Sequence, residues 1–129
     1  PVIQLFAFYV LIHGHDSPGG GFQAGTLFAA SVILPILAFG IQDSQVVLER
    51  RAIIFGAIGI LLYAGIGLLP LILGGEFLNY GKLPIPGMEA SSRRHWGILG
   101  IEIGVTITVA ATAVSIYYSL RERGEGEEK

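Results

Sequence analysis

The chain has 129 residues, 52% of them hydrophobic and only 14% charged, with a mean hydropathy of +0.65. A soluble domain carries roughly 25% charged residues, so this composition excludes an ordinary water-exposed surface. The absence of cysteine excludes disulfides, thiolate-held iron–sulfur clusters and thiol catalysis, and a net charge of −2 without a basic cluster excludes a nucleic-acid footprint.

The charges that exist are clustered. No Asp, Glu, Lys, Arg or His occurs from Ser17 to Gln42, from Ala52 to Gly75, or from Ile103 to Leu120. Crossing the hydrocarbon core takes about 20 apolar residues in a helix, and these runs meet or approach that length. Segments at about 1–13, 18–41, 52–74 and 96–120 are therefore expected to be helices in a lipid bilayer. The fold class is all-α, an integral membrane protein of four transmembrane helices. The first, "PVIQLFAFYVLI", has neither the basic region nor the cleavage site of a signal peptide. It reads as the end of a helix truncated at its N-terminus. Residues 1–120 form a single transmembrane domain, and 121–129, "RERGEGEEK", a polar and frayed C-terminal tail. Five Lys and Arg residues (Arg50, Arg51, Arg121, Arg123, Lys129) on one side against three (Lys82, Arg93, Arg94) on the other favour cytoplasmic termini.

Between the first two segments lies "HGHDSPGGGF", residues 13–22. Asp16 or Ser17 can cap a helix, and Pro18 suits a first helical position, where a missing N–H is no loss. The expectation is a helix that starts at this Pro, with Gly19, Gly20 and Gly21 in its first turn. Each glycine there costs about 1 kcal/mol relative to alanine. Three in a row call either for a neighbouring backbone packed closely on the turn or for an anion facing its N–H groups. His13 and His15 stand two apart, which on a helix points them in different directions, so a metal site is disfavoured. The remaining readings are a structural turn with hydrogen-bonded histidines and a proton-handling histidine.

In the third segment Gly56, Gly59 and Gly67 share a face suited to packing, and Pro70 is expected to kink or loosen the end of the helix. Pro35 in the second segment is read as packing alone. "LPIPG" in the third loop forbids a regular helix. Trp96 at one end of the last segment, and Tyr117 and Tyr118 at the other, occupy the positions of interfacial aromatics.

At about 100° per residue, the last helix shows two special faces. Gly97, Gly100, Gly104 and Ala111 fall in one arc, with Thr108 and Ser115 beside them, and would admit a close helix neighbour. Glu102, Thr106 and Ala113 fall nearly opposite. Two protein-facing sides imply a helix held between two neighbours, and from this we expect partner subunits. Glu102 is the one carboxylate inside an apolar run. Placing it in lipid costs roughly 3 kcal/mol. It lies six residues past Trp96, roughly 9 Å along the axis. Two readings stand: a proton or cation relay facing a polar cavity, and a structural bond to a partner's Lys or Arg. His13, His15 and Asp16 would then sit at a mouth of the path, and Thr106 beside Glu102.

The run "HGHDSPGGGFQAG" followed by an apolar helix resembles the signature of the MnhB/MrpB family, through His13, Gly14, His15, Pro18, Gly19, Gly20, Gly21, Phe22 and Gly25. The likeness extends more loosely over the four-helix pattern and "RRHWG…GIEIG", residues 93–104. The resemblance implies a small membrane subunit of a multisubunit Mrp-type Na⁺/H⁺ antiporter, assembled with other membrane subunits. The same subunit type occurs in membrane-bound hydrogenases and sulfur-reducing relatives of complex I, so a peripheral redox arm is a further implied partner. No redox cofactor is expected in this chain itself. The alternative function is purely structural, aligning neighbouring antiporter subunits. An enzyme acting alone finds no support, since no nucleophile–base pair in an apolar cleft can be named.

Overall fold

The computed structural model of the protein describes residues 1–14, 19–40 and 45–127. Four helices follow in order: α1 (Val2–Ile12), α2 (Gly21–Phe39), α3 (Gln45–Ile72) and α4 (Ala90–Glu127), with a 3-10 turn, Tyr80–Lys82, before the last. No strand occurs among the described residues. Three of the helices are long and apolar enough to cross a membrane, and α1, with 11 residues, is apolar but shorter. Phe39, Leu61 and Ile72 are 80%, 71% and 77% exposed. Water would not tolerate so much bare apolar surface, whereas acyl chains cover it. The chain is a multi-pass helical membrane protein.

Four boundaries differ from expectation, one of them the start of α4, at Ala90 rather than about 96. α2 begins at Gly21 rather than at Pro18, because Gly20 takes φ 138° and ψ −173° as its N-cap, a backbone open to glycine. Gly19 and Gly20 thus precede the helix, and the Gly20 carbonyl accepts the first helical bond from the Ala24 N–H at 3.0 Å. α3 starts earlier, taking in Glu49, Arg50 and Arg51, all good helix formers. α4 runs on to Glu127, through a tail whose composition predicts fraying. Extending a formed helix through Arg and Glu needs no new nucleation.

Pro70 does not break α3, which ends two residues later at Ile72. Gly74, at φ 77°, donates to the Leu71 carbonyl at 3.1 Å, and Gly75 to the Pro70 carbonyl at 2.9 Å. These crossed bonds form a Schellman termination. The loop that follows folds back on the helices. Leu78 N–H reaches the Gly67 carbonyl at 3.3 Å, and Arg93 donates to the Leu83 carbonyl at 3.4 Å. "LPIPG" stays non-helical, as its prolines require.

α4 is the centre of the molecule. Its glycine arc lies antiparallel against α3. A methyl group on Gly104 would stand 3.0 Å from both the Gly59 carbonyl oxygen and the Tyr63 nitrogen, and one on Gly100 would stand 2.7 Å from Ile66 Cδ1. Gly97 meets the ring of Tyr80 from the loop. Burial and then the neighbouring Tyr63 raise the Tyr80 hydroxyl above its usual range, so it covers Gly97 as a neutral group. On the opposite side, Glu102 and Thr106 face α2. α1 packs on α2 through buried Ala7 and Leu11 and an edge-on pair, Phe8 and Phe28, at 4.9 Å.

Both special faces of α4 are therefore covered, but by α2 and α3 of its own chain. Two such faces do not by themselves require partner subunits, because spacing shows which faces need cover and not which chain supplies it. One consequence is directly measurable. A Cβ on Gly56 would lie 3.6 Å from Ala111 Cβ, inside the range that a disulfide spans. In this cysteine-free chain the pair Gly56→Cys and Ala111→Cys is expected to cross-link on mild oxidation, giving an intramolecular species on a non-reducing gel. A failure to cross-link would refute the α3–α4 register.

Candidate functional site

The site is the meeting of the glycine turn with Glu102. The turn leaves α1 at His13, whose backbone N–H bonds the Tyr9 carbonyl at 3.1 Å and whose ring stacks on Tyr9 at 4.3 Å. His13 Nδ1 is also 3.1 Å from that carbonyl, and the residue is exposed. It closes α1 at the edge of the turn. His15, Asp16 and Pro18 lie outside the described residues.

Gly14 and Gly20 bring the two ends of the turn together. A methyl on Gly14 would stand 2.7 Å from Gly20 Cα and 3.3 Å from Glu102 Oε1, and one on Gly20 would stand 3.5 Å from the same carboxylate oxygen. Gly21 packs directly on α4: its Cβ would fall on the Glu102 carbonyl oxygen and 3.1 Å from Glu102 Cα. One turn on, a methyl at Gly25 would be 2.8 Å from the Thr106 carbonyl oxygen. Of the two reasons for a run of glycines, close backbone approach thus holds for Gly21. The Glu102 carboxylate lies beside Gly14 and Gly20.

Thr106 is buried, and its hydroxyl lies 2.7 Å from the Glu102 carbonyl and 3.0 Å from the Gly21 carbonyl. One hydroxyl proton is shared between them, tying α4 to the start of α2. Thr106→Val keeps the shape and removes this bond. It is expected to lower the thermal stability of the purified protein by about 1 kcal/mol, read as a drop in melting temperature.

Two close approaches go beyond the sequence reading: those of Gly14 and Gly25. The second has a signal. Gly21 and Gly25 stand four apart within "GFQAG", the small-residue spacing at which membrane helices touch. Gly14 has none, because its neighbour Gly20 comes from across the turn. The helix-packing residues Gly97, Gly100, Gly104 and Ala111 all fall on the α3 and loop side, away from Glu102.

The chain is thus a small multi-pass helical membrane protein whose central helix seats a carboxylate against a side-chain-free turn. Residues 1–115 match the family model described as the domain related to the MnhB subunit of the Na⁺/H⁺ antiporter. The chain belongs to this MnhB family. It is 30% identical over 118 residues to a Na⁺/H⁺ antiporter subunit of Bacillus subtilis (strain 168), covering 86% of this chain and 82% of that protein. It is 33% identical over 126 residues to the putative antiporter subunit mnhB2 of Staphylococcus aureus (strain Newman), covering 92% and 84%. No solved structure matches it.

Proposed function

We propose that this protein is a non-redox membrane subunit of a multisubunit Na⁺/H⁺ antiporter, and that Glu102 handles the exchanged ions beside the glycine turn. Family membership supports the first part, and the seat of the Glu102 carboxylate supports the second. An ionised carboxylate below the interface is costly in lipid. It gains from a proton or a cation, and a single carboxylate that holds one or the other links the movement of the two. Gly14 and Gly20 set no side chain against Glu102 Oε1. Thr106 acts as the tether that positions the helix, since its proton is engaged by two carbonyls. His13 stands in this reading at the mouth of the path.

The neighbours are other membrane subunits of the antiporter module. Gentle purification and identification of the co-purifying chains reads the host assembly. Antiporter-type subunits alone would mark a free-standing exchanger. Hydrogenase-like subunits among them would mark a redox-coupled machine with a peripheral arm.

The test of the ion-handling role is Glu102→Gln in the assembled complex. Glutamine keeps the size and the acceptor oxygen but cannot take up or release a proton. Loss of Na⁺-dependent proton transport with the complex intact is the expected result. A second reading, a purely structural subunit, draws on the close packing of Glu102 against Gly21. It requires that Glu102→Gln transport as well as the wild type.

A further inference from the structure

Along the flank of α4 between α2 and α3 runs an open groove of about 700 Å³. Its walls are apolar, with Phe8 and Phe28 on one side, Phe55 on the other, and Ile103, Ile107 and Val114 on its floor. A single charged residue lines it, Arg51. Arg51 is exposed and makes no hydrogen bond or ion pair with any other described residue.

Position gives this arginine its meaning. Gly56 faces Ala111 and Gly59 faces Thr108 across the antiparallel seam, so Arg51 stands about level with Ile116, and it immediately precedes the charge-free run Ala52–Gly75. The end of such a run lies at the membrane interface, where phosphate headgroups lie. From there the groove follows α4 from Val114 to Leu99, about 22 Å at 1.5 Å per residue, most of the way across the hydrocarbon core. Its volume over that length gives a cross-section of about 30 Å². An extended alkyl chain can lie along a groove of this section.

We infer that this groove is a binding site for an anionic phospholipid, with one acyl chain laid along α4 and the phosphate on Arg51. The guanidinium offers a fork of donors that matches phosphate oxygens, and no described residue competes for it. The inference rests on the membrane placement of the helices and is independent of the role of Glu102.

The experiment uses the assembled complex, reconstituted in bilayers of equal phosphatidylglycerol and phosphatidylcholine. After gentle detergent extraction, the retained lipid is identified and counted by native mass spectrometry. The wild type is expected to retain phosphatidylglycerol at least tenfold over phosphatidylcholine. Arg51→Gln, a change at an exposed side chain, should reduce that preference to near unity, and Arg51→Lys should restore part of it. Ala110→Phe, which fills the floor of the groove, should reduce retention of both lipids. Retention without headgroup preference in the wild type would overturn the inference, as would a preference unmoved by Arg51→Gln. So would a disulfide between Ile107→Cys and a cysteine on a neighbouring subunit, because the groove would then be a protein interface.

Discussion

Gly104→Leu is expected to remove this subunit from the membrane complex. The Gly104 position has no room: the first added carbon would sit 3.0 Å from the backbone of Gly59 and of Tyr63, and backbone cannot swing aside as a long side chain can. A leucine would push α3 and α4 apart over their whole seam. Overpacking in a tight interior costs typically 1–3 kcal/mol, and a backbone-to-backbone contact falls at or above the top of that range. In a bilayer no hydrophobic force restores the contact, since lipid tails are as apolar as the separated faces. The measurement is the amount of subunit co-purifying with the assembly. The expected outcome is near-complete loss, together with loss of the Gly56→Cys/Ala111→Cys cross-link in the same chain. Gly65, by contrast, has open space around a would-be Cβ, so Gly65→Ala should leave both unchanged.

Gly21→Leu is expected to abolish transport while sparing that cross-link. Its Cβ would land on the Glu102 carbonyl, so the start of α2 must retreat from α4. The retreat removes the hydrogen bond between Thr106 and the Gly21 carbonyl and carries Gly20 away from the carboxylate. The α3–α4 seam lies on the other side of α4 and stays in register. The paired measurement is transport rate and cross-linking yield in the same variant. Transport unaffected by Gly21→Leu would mean that the turn and Glu102 do not work as one site.

Much of this arrangement is legible in the residues. Charge-free runs locate the three long apolar helices, and the helical wheel separates the Gly97–Ala111 arc from Glu102 and Thr106, two groups that face different neighbours in the structure. The start of α2 is not legible, because Pro18 carries a helix-start signal while the decisive event is the positive φ of Gly20, where Gly14 closes on it from across the turn. The polar ends of α3 and α4 fall short in the sequence reading for a related reason. Apolar length measures the part of a helix inside lipid, and Glu, Arg and Lys continue a helix into water without interruption. The identity of the neighbours of α4 is also hidden: small residues at close spacing mark a contact surface, and a contact within the chain leaves the same mark as a contact with another subunit.

The proposed role of Glu102, whose carboxylate lies beside Gly14 and Gly20, is to handle the exchanged ions. Its most direct measurement is the initial rate of sodium-driven proton movement in everted vesicles, normalised to assembled complex, for wild type, Glu102→Asp and Glu102→Gln. At least a tenfold fall is expected for Glu102→Gln, with partial activity for Glu102→Asp. Equal rates for all three at equal complex content would contradict it.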